Sequence, residues 1–167
     1  MLFILPENIF FKSLKNWDNK NWLSSISYIK FFNIFLIKQA KLTTASKIVD
    51  IGCGRGRILG RLASRLKLKS KPLGLDLERH LDRDKRINFK KVNDLKFYKN
   101  TNKTLDLILI KQTIHFFKIP EIKQLLNLCK KKLNYNGKII ILTIDPYQNE
   151  IPTFALMGKH LRISLKR

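Results

Sequence analysis

The sequence predicts an α/β fold: a doubly wound, mainly parallel sheet with helices on both faces. Three observations predict it. Between residues 45 and 145, short Ile-, Val- and Leu-rich runs alternate with stretches of three- and four-residue apolar spacing. Parallel strands joined by right-handed helical crossovers produce that alternation. The run "LDLILI" (105–110) is apolar enough for a strand covered on both faces. Finally, "VDIGCGRG" (49–56) passes from strand to glycine-rich turn just before a helical pattern, the arrangement with which open α/β sheets hold ligands at their strand ends.

Residues 1–44 read as a helical lead-in or lid, 45–145 as the sheet domain and 146–167 as a tail. In the lead-in, Trp22, Ile26, Ile29, Phe32, Leu36 and Ala40 recur at helical spacing over residues 22–40, and Phe31 and Phe35 widen the stripe. A stripe this broad is expected to pack on the sheet; a lid or membrane-surface helix is the alternative. "KIVDI" (47–51) is the first strand. A helix follows from Arg57 to Leu66, with Ile58, Leu59, Leu62, Ala63 and Leu66 on one face and Arg57, Arg61 and Arg65 opposite. "KPLGLD" (71–76) is the second strand, "INFKKV" (87–92) a weaker third and 105–110 the fourth. Residues 121–133 form a helix with Ile122, Leu125, Leu126, Cys129 and Leu133 facing inward, and lysines in its last turn suit the helix dipole. "NYNG" then turns the chain into the fifth strand, "KIIILTID" (138–145). Only 22 residues follow Asp145. "TFALMGKHLRISLKR" (153–167) reads as one helix, and no sixth strand is legible. C-terminal strands are thus missing or short. The apolar edge of the fifth strand needs the tail, or a partner chain in a dimer, to cover it; otherwise the domain is truncated.

The bulk numbers narrow the function classes. A chain of 167 residues, 44% hydrophobic, can bury a core. Its formal net charge of +22 attracts polyanions such as RNA, DNA or an anionic membrane. A compositional bias toward Lys, Asn and Ile gives the same charge with no partner at all. Cys53 and Cys129 form no CxxC, and His80, His115 and His160 are far apart, so neither a disulfide framework nor a metal site is expected. That pattern fits a reducing cytoplasm. The greasiest run, residues 26–37, contains Lys30 and Asn33 and is too short to span a bilayer. "MLFILPENIFF" lacks a basic start and is broken by Pro6 and Glu7, unlike a signal peptide.

The glycine segment carries the chemistry. A dinucleotide loop needs GxGxxG, and here Arg57 stands where the third glycine belongs. A phosphate-binding P-loop is absent, and Asp50 just before the glycines repels phosphate while welcoming an ammonium group. Asp76 ends the second strand, 20 residues after Gly56, where such sheets place an acid against ribose hydroxyls. Asp94 follows the third strand. An acid for an ammonium group, a glycine floor, an acid for ribose and one for an adenine amino group describe S-adenosylmethionine better than NAD. Singly, each acid also reads as a turn or helix-cap residue.

In this order and spacing, "VDIGCGRG", "LGLD", "ND" and "LDLILIKQTIHF" resemble the class I S-adenosylmethionine-dependent methyltransferases, with their Rossmann-like sheet, over residues 45–145. The resemblance implies that Asp50, Gly52, Gly54 and Gly56 form the cofactor loop. It implies that Asp76 holds the ribose, that Leu77 flanks the adenine and that Asp94 with Leu95 meets the adenine edge. Ile110 and Lys111 would lie near the methionine end. Two further strands are expected in that family, the last of them antiparallel, and neither is legible here.

Methyl transfer from a sulfonium needs alignment first and a base only for a hydroxyl or protonated amine. "IKQTIHFF" (110–117) lacks the Asp/Asn-Pro-Pro-aromatic element of amino-group base methylation, and no cysteine follows a proline. The remaining resemblance is to small-molecule methyltransferases, with His115 the candidate base and a small-molecule acceptor the first reading. RNA methylation is the alternative: residues 55–91 hold 13 Lys and Arg against four acids. An inactive basic fold that binds RNA or aids assembly is the third reading, prompted by the missing strands.

Overall fold

The computed structural model describes residues 2–4, 26–92, 104–111, 113–143 and 162–166. Its strands are β1 (Leu2–Ile4), β2 (Ile48–Ile51), β3 (Leu73–Asp76), β4 (Asn88–Lys91), β5 (Leu105–Lys111), β6 (Leu133–Thr143) and β7 (Arg162–Lys166). Its helices are α1 (Ile26–Ala40), α2 (Arg57–Leu66) and α3 (Ile119–Lys132), with a 3-10 turn at Ile114–Phe116. The strands form one sheet in the order β1-β7-β6-β5-β2-β3-β4. Strands β2 to β6 are parallel, and β7 runs antiparallel to both β6 and β1. This is the Rossmann-like, doubly wound sheet. Connection order reverses between β2 and β5, which makes the ends of those two strands the place for a ligand crevice.

Period-two alternation builds the two layers of core. Ile48 of β2, Leu107 and Leu109 of β5, and Ile140 and Leu142 of β6 pack with Ile29, Phe32 and Leu36 of α1 and Leu59 and Leu62 of α2. Val49, Ile51, Ile108, Ile110 and Ile139 face the other way, onto Leu125 and Cys129 of α3. The phenylalanine-rich stripe therefore packs on the sheet. Its described N-terminal member, Ile26, is the exception, at 65% exposed; Trp22 lies outside the described residues.

Local signals set the helix ends. Helix α2 starts directly after Gly56 and stops where Lys67 turns left-handed, its N–H bonding back to the carbonyls of Ala63 and Ser64. Helix α3 begins at Ile119, two residues before the expected start. Pro120 suits its first turn, and the Glu121 carboxylate accepts the Lys118 N–H at 2.7 Å. The "NYNG" segment is formally inside β6 but leaves the ladder. Leu105 pairs with Leu133 and Leu107 with Lys138, so residues 134–137 bulge outward, held where the Asn134 amide donates to Asp106.

At the C-terminal end one expectation is corrected and another holds: the tail is not one helix, and it does cover the edge of β6. Residues 162–166 of the tail form strand β7, not part of a helix. The sequence there, Arg-Ile-Ser-Leu-Lys, alternates polar and apolar residues, which suits a strand. Strand β7 pairs with β6 from Ile139 to Thr143. The edge of β6 is therefore taken within the chain and is not free for a strand-edge dimer. The chain also has the antiparallel strand that the sequence did not reveal, five residues long.

Candidate functional site

At the ends of β2 and β5 lies a cleft of about 310 Å³, lined by Asp50, Gly52, Cys53, Gly54, Gly56, Arg57, His80 and Lys111 among others. The loop between β2 and α2 is tied down by its own backbone. The N–H groups of Gly52 and Cys53 donate to the Leu75 carbonyl at 2.9 and 3.0 Å, and Gly56 N–H donates to Cys53 O at 2.9 Å. Gly52, Gly54 and Gly56 all have positive φ. Gly52 needs it most. A Cβ there would stand 1.9 Å from Thr113 Oγ1, so the turn after β5 closes directly onto the loop.

Asp76 braces the loop from the neighbouring strand. Its Oδ2 accepts the Gly54 N–H at 2.7 Å and its Oδ1 accepts the Glu78 N–H at 3.0 Å. Leu77 beside it is 63% exposed, an apolar surface left in solvent at the rim. Arg55 and Arg57 reach across to Asp82 at 2.9 and 3.3 Å, and the 77–87 loop folds back so that His80 joins the lining.

Asp50 is the unusual group. It is 1% exposed, and its Oδ1 has no hydrogen-bond partner among the described residues. Burial pushes its carboxyl up to about 7, against the Lys111 ammonium, which pulls it down, while the Asp76 carboxylate adds to the rise. The pair is asymmetric. Burial lowers the Lys111 ammonium and Asp50 only partly restores it. Asp50 pairs across the ladder with Leu109, so Lys111 is its diagonal neighbour on the same face of the sheet. A buried carboxylate with an unused acceptor and too little compensating charge is a receptor for a cation.

The expected site residues divide as follows. Asp50, Gly52, Gly54, Gly56 and Lys111 line one cleft, and Asp76 is bonded to its loop. Leu77 sits at the rim. Ile110 is fully buried against the α3 layer. It alternates with Lys111 along β5 and is not among the residues that line the cleft. Asp94 and Leu95 lie outside the described residues. The His115 backbone belongs to the 3-10 turn after β5, and its side chain lies outside the described residues. Sequence reasoning missed Thr113 and His80. Thr113 shows itself only through the space Gly52 leaves, and His80 carries no local signal. No cluster of metal-ligating side chains occurs among the described residues, and no described helix is long and apolar enough to cross a membrane.

Residues 48–137 match the family described as methyltransferase domain. No curated protein matches the chain. Solved structures similar to it include a SAM-dependent methyltransferase from Archaeoglobus fulgidus. It is 22% identical with a TM-score of 0.60, over 78% of this chain and 57% of that one. The N-methyltransferase NodS from Bradyrhizobium japonicum, solved with S-adenosylhomocysteine, is 16% identical with a TM-score of 0.58, over 81% and 71%. An O-methyltransferase family protein from Burkholderia thailandensis is 15% identical with a TM-score of 0.53, over 80% and 48%. The chain thus spans about half the length of the Archaeoglobus and Burkholderia proteins.

Proposed function

The chain belongs to the methyltransferase-domain family, and on that premise we propose that it transfers a methyl group from S-adenosylmethionine to an acceptor. One observation carries the reading: the fold gathers Asp50, the three positive-φ glycines and Asp76 around one cleft at the switch point of the sheet.

The residues fit that cofactor. The unpartnered Oδ1 of Asp50 is the acceptor for an α-ammonium group. The Asp76 carboxylate accepts two backbone N–H groups and, with about four acceptor sites in all, keeps capacity for ribose hydroxyls. Leu77 offers an apolar face to the adenine, with Asp94 and Leu95 assigned to its edge. When bound, the cofactor supplies an electrophilic methyl on a sulfonium. The chain's task is then to align the acceptor and exclude water. Lys111 stands beside Asp50 near the methionine end, where it limits how much negative charge the pocket presents. His115, on the turn just past Thr113, is assigned as the base that removes a proton from a hydroxyl or protonated amine acceptor.

A small-molecule acceptor is the first reading. The names of the structural relatives support it only broadly, since one is an N- and another an O-methyltransferase. RNA is the second reading, favoured by the arginines of α2, which begin at the cleft itself with Arg57. The inactive-fold reading drew on two absent strands, and β7, paired to β6, supplies one of them. Calorimetry of the full chain with S-adenosylhomocysteine tests the proposal: micromolar-range binding is expected, and neither heat nor a thermal shift would sink it.

A further inference from the structure

A second cleft, of about 350 Å³, opens between α1 and α2, away from the glycine loop. Its polar lining is Lys30 and Asn33 of α1, Arg61, Ser64 and Arg65 of α2, and Arg86 from the segment before β4. Arg86 is committed: Asp84 accepts from it at 2.8 and 2.5 Å, and its third nitrogen reaches Ser64 Oγ at 3.1 Å. Lys30, Arg61 and Arg65 form no ion pair with a described residue. Asn33 is 1% exposed, on the helix face that buries Ile29, Phe32 and Leu36, and its Oδ1 has no partner among the described residues. A buried amide left unpartnered on an apolar face costs stability. That oxygen gains a purpose if a ligand in the cleft offers it a donor such as a ribose hydroxyl, since phosphate oxygens only accept.

A row of arginines on α2 runs from one cleft to the other. Arg57 lines the first, and Arg61 and Arg65 line the second, at four-residue spacing along one side of α2. From Arg57 to Arg65 the helix advances about 12 Å at ~1.5 Å per residue. The row and Lys30 together offer four cations, Arg57 sharing its charge with Asp82, and so can neutralise about four phosphates of a strand laid along it. Lys30, Arg61 and Arg65 line one cleft rather than a flat face. A membrane surface would ask for a flat or convex basic face.

We propose that this groove seats the phosphodiester backbone of single-stranded RNA and leads it along α2 to the mouth of the glycine cleft. The proposal deepens the RNA reading above and rests on it for the acceptor, though not for the binding itself.

The test is fluorescence anisotropy of the full chain with a labelled single-stranded oligouridylate, from 50 to 200 mM KCl. Four phosphate contacts, at a log–log slope of about −0.7 each, weaken binding about 50-fold over that range. The variant Arg61→Gln/Arg65→Gln, in which glutamine keeps the helix propensity, is expected to leave two contacts and a change of only about sevenfold. Asn33→Leu is expected to weaken RNA binding while the melting temperature holds or rises. A double variant with the wild-type salt slope overturns the proposal, as does tighter binding to duplex DNA or to phosphatidylserine vesicles than to the oligouridylate. S-adenosylhomocysteine binding is measured on the same samples. Cofactor bound without RNA overturns this inference alone, and RNA bound without cofactor upholds it while removing the proposed activity.

Discussion

Replacing Asp50 by Asn separates the two demands this buried carboxyl meets. Its folded value is about 7, against an ordinary 3.8. Between roughly pH 4 and 7 the native protein therefore keeps a proton that the unfolded chain has released. Stability falls as pH rises through that window and is recovered in acid, the reverse of a salt-bridged aspartate. The gap between the two values corresponds to roughly 4 kcal/mol at neutral pH. Asp50→Asn has no such titration. Its denaturation curves at pH 4.5 and 7.5 are expected to differ less than those of the wild type, and at pH 7.5 it is expected to be the more stable protein. Cofactor affinity runs the other way, because an ammonium group needs the ionised acid. That form is about a tenth of the population at pH 6 and about three-quarters at pH 7.5, so S-adenosylhomocysteine affinity should rise about eightfold between them. Calorimetry at both pH values measures this. A wild-type affinity flat in pH, or the same rise in Asp50→Asn, refutes the assignment of Asp50 to the ammonium group.

Three further predictions follow from the same cleft. Lys111→Met removes the charge that pulls Asp50 down, so the pH midpoint of cofactor binding is expected to move upward; an unmoved midpoint in calorimetric titration contradicts that coupling. Asp76→Ala strips the acceptor from the Gly54 N–H and should weaken S-adenosylhomocysteine binding by about 1–3 kcal/mol, with unchanged affinity removing Asp76 from the site. Gly54→Ala adds a Cβ that meets nothing within 4 Å, whereas the Cβ of Gly52→Ala collides with Thr113. The first should cost the fold about 1–2 kcal/mol of left-handed strain and the second about 1–3 kcal/mol more for overpacking; equal urea midpoints for the two would show that the turn after β5 does not close on the loop.

The parallel sheet was legible because its parts are local. Strands β2, β3 and β5 end in an aspartate-glycine turn, an aspartate and a lysine, and α2 and α3 keep helical spacing throughout. Strand β7 was not legible. Its five residues alternate, but what makes them a strand is the bare edge of β6, which the chain meets only after folding. Asp50 and the glycines, picked out by their spacing, line one cleft. For Ile110 strand parity was not legible: the sequence locates the end of β5 to within a residue, and one residue decides which face a side chain takes. His80 comes to the cleft, and Thr113 to the space beside Gly52, through contacts made across the fold, the first by way of the Arg55–Asp82–Arg57 bridge. The groove between α1 and α2 pairs Asn33 with Arg61, residues that no local pattern connects.

Cys53 gives the glycine loop a chemical clock. Its Sγ lies 2.6 Å from where a Cβ on Gly74 would be, so the thiol fills the space that the glycine of β3 leaves. Burial, with Asp50 adding to it, pushes the thiol well above its ordinary range, and a protonated thiol is a poor nucleophile. Alkylation at neutral pH is therefore expected to be slow while the loop rests on β3 and faster when it lifts. The rate at which iodoacetamide captures Cys53 thus counts openings of the loop, and a ligand resting on the glycines should slow that count without touching the sulfur.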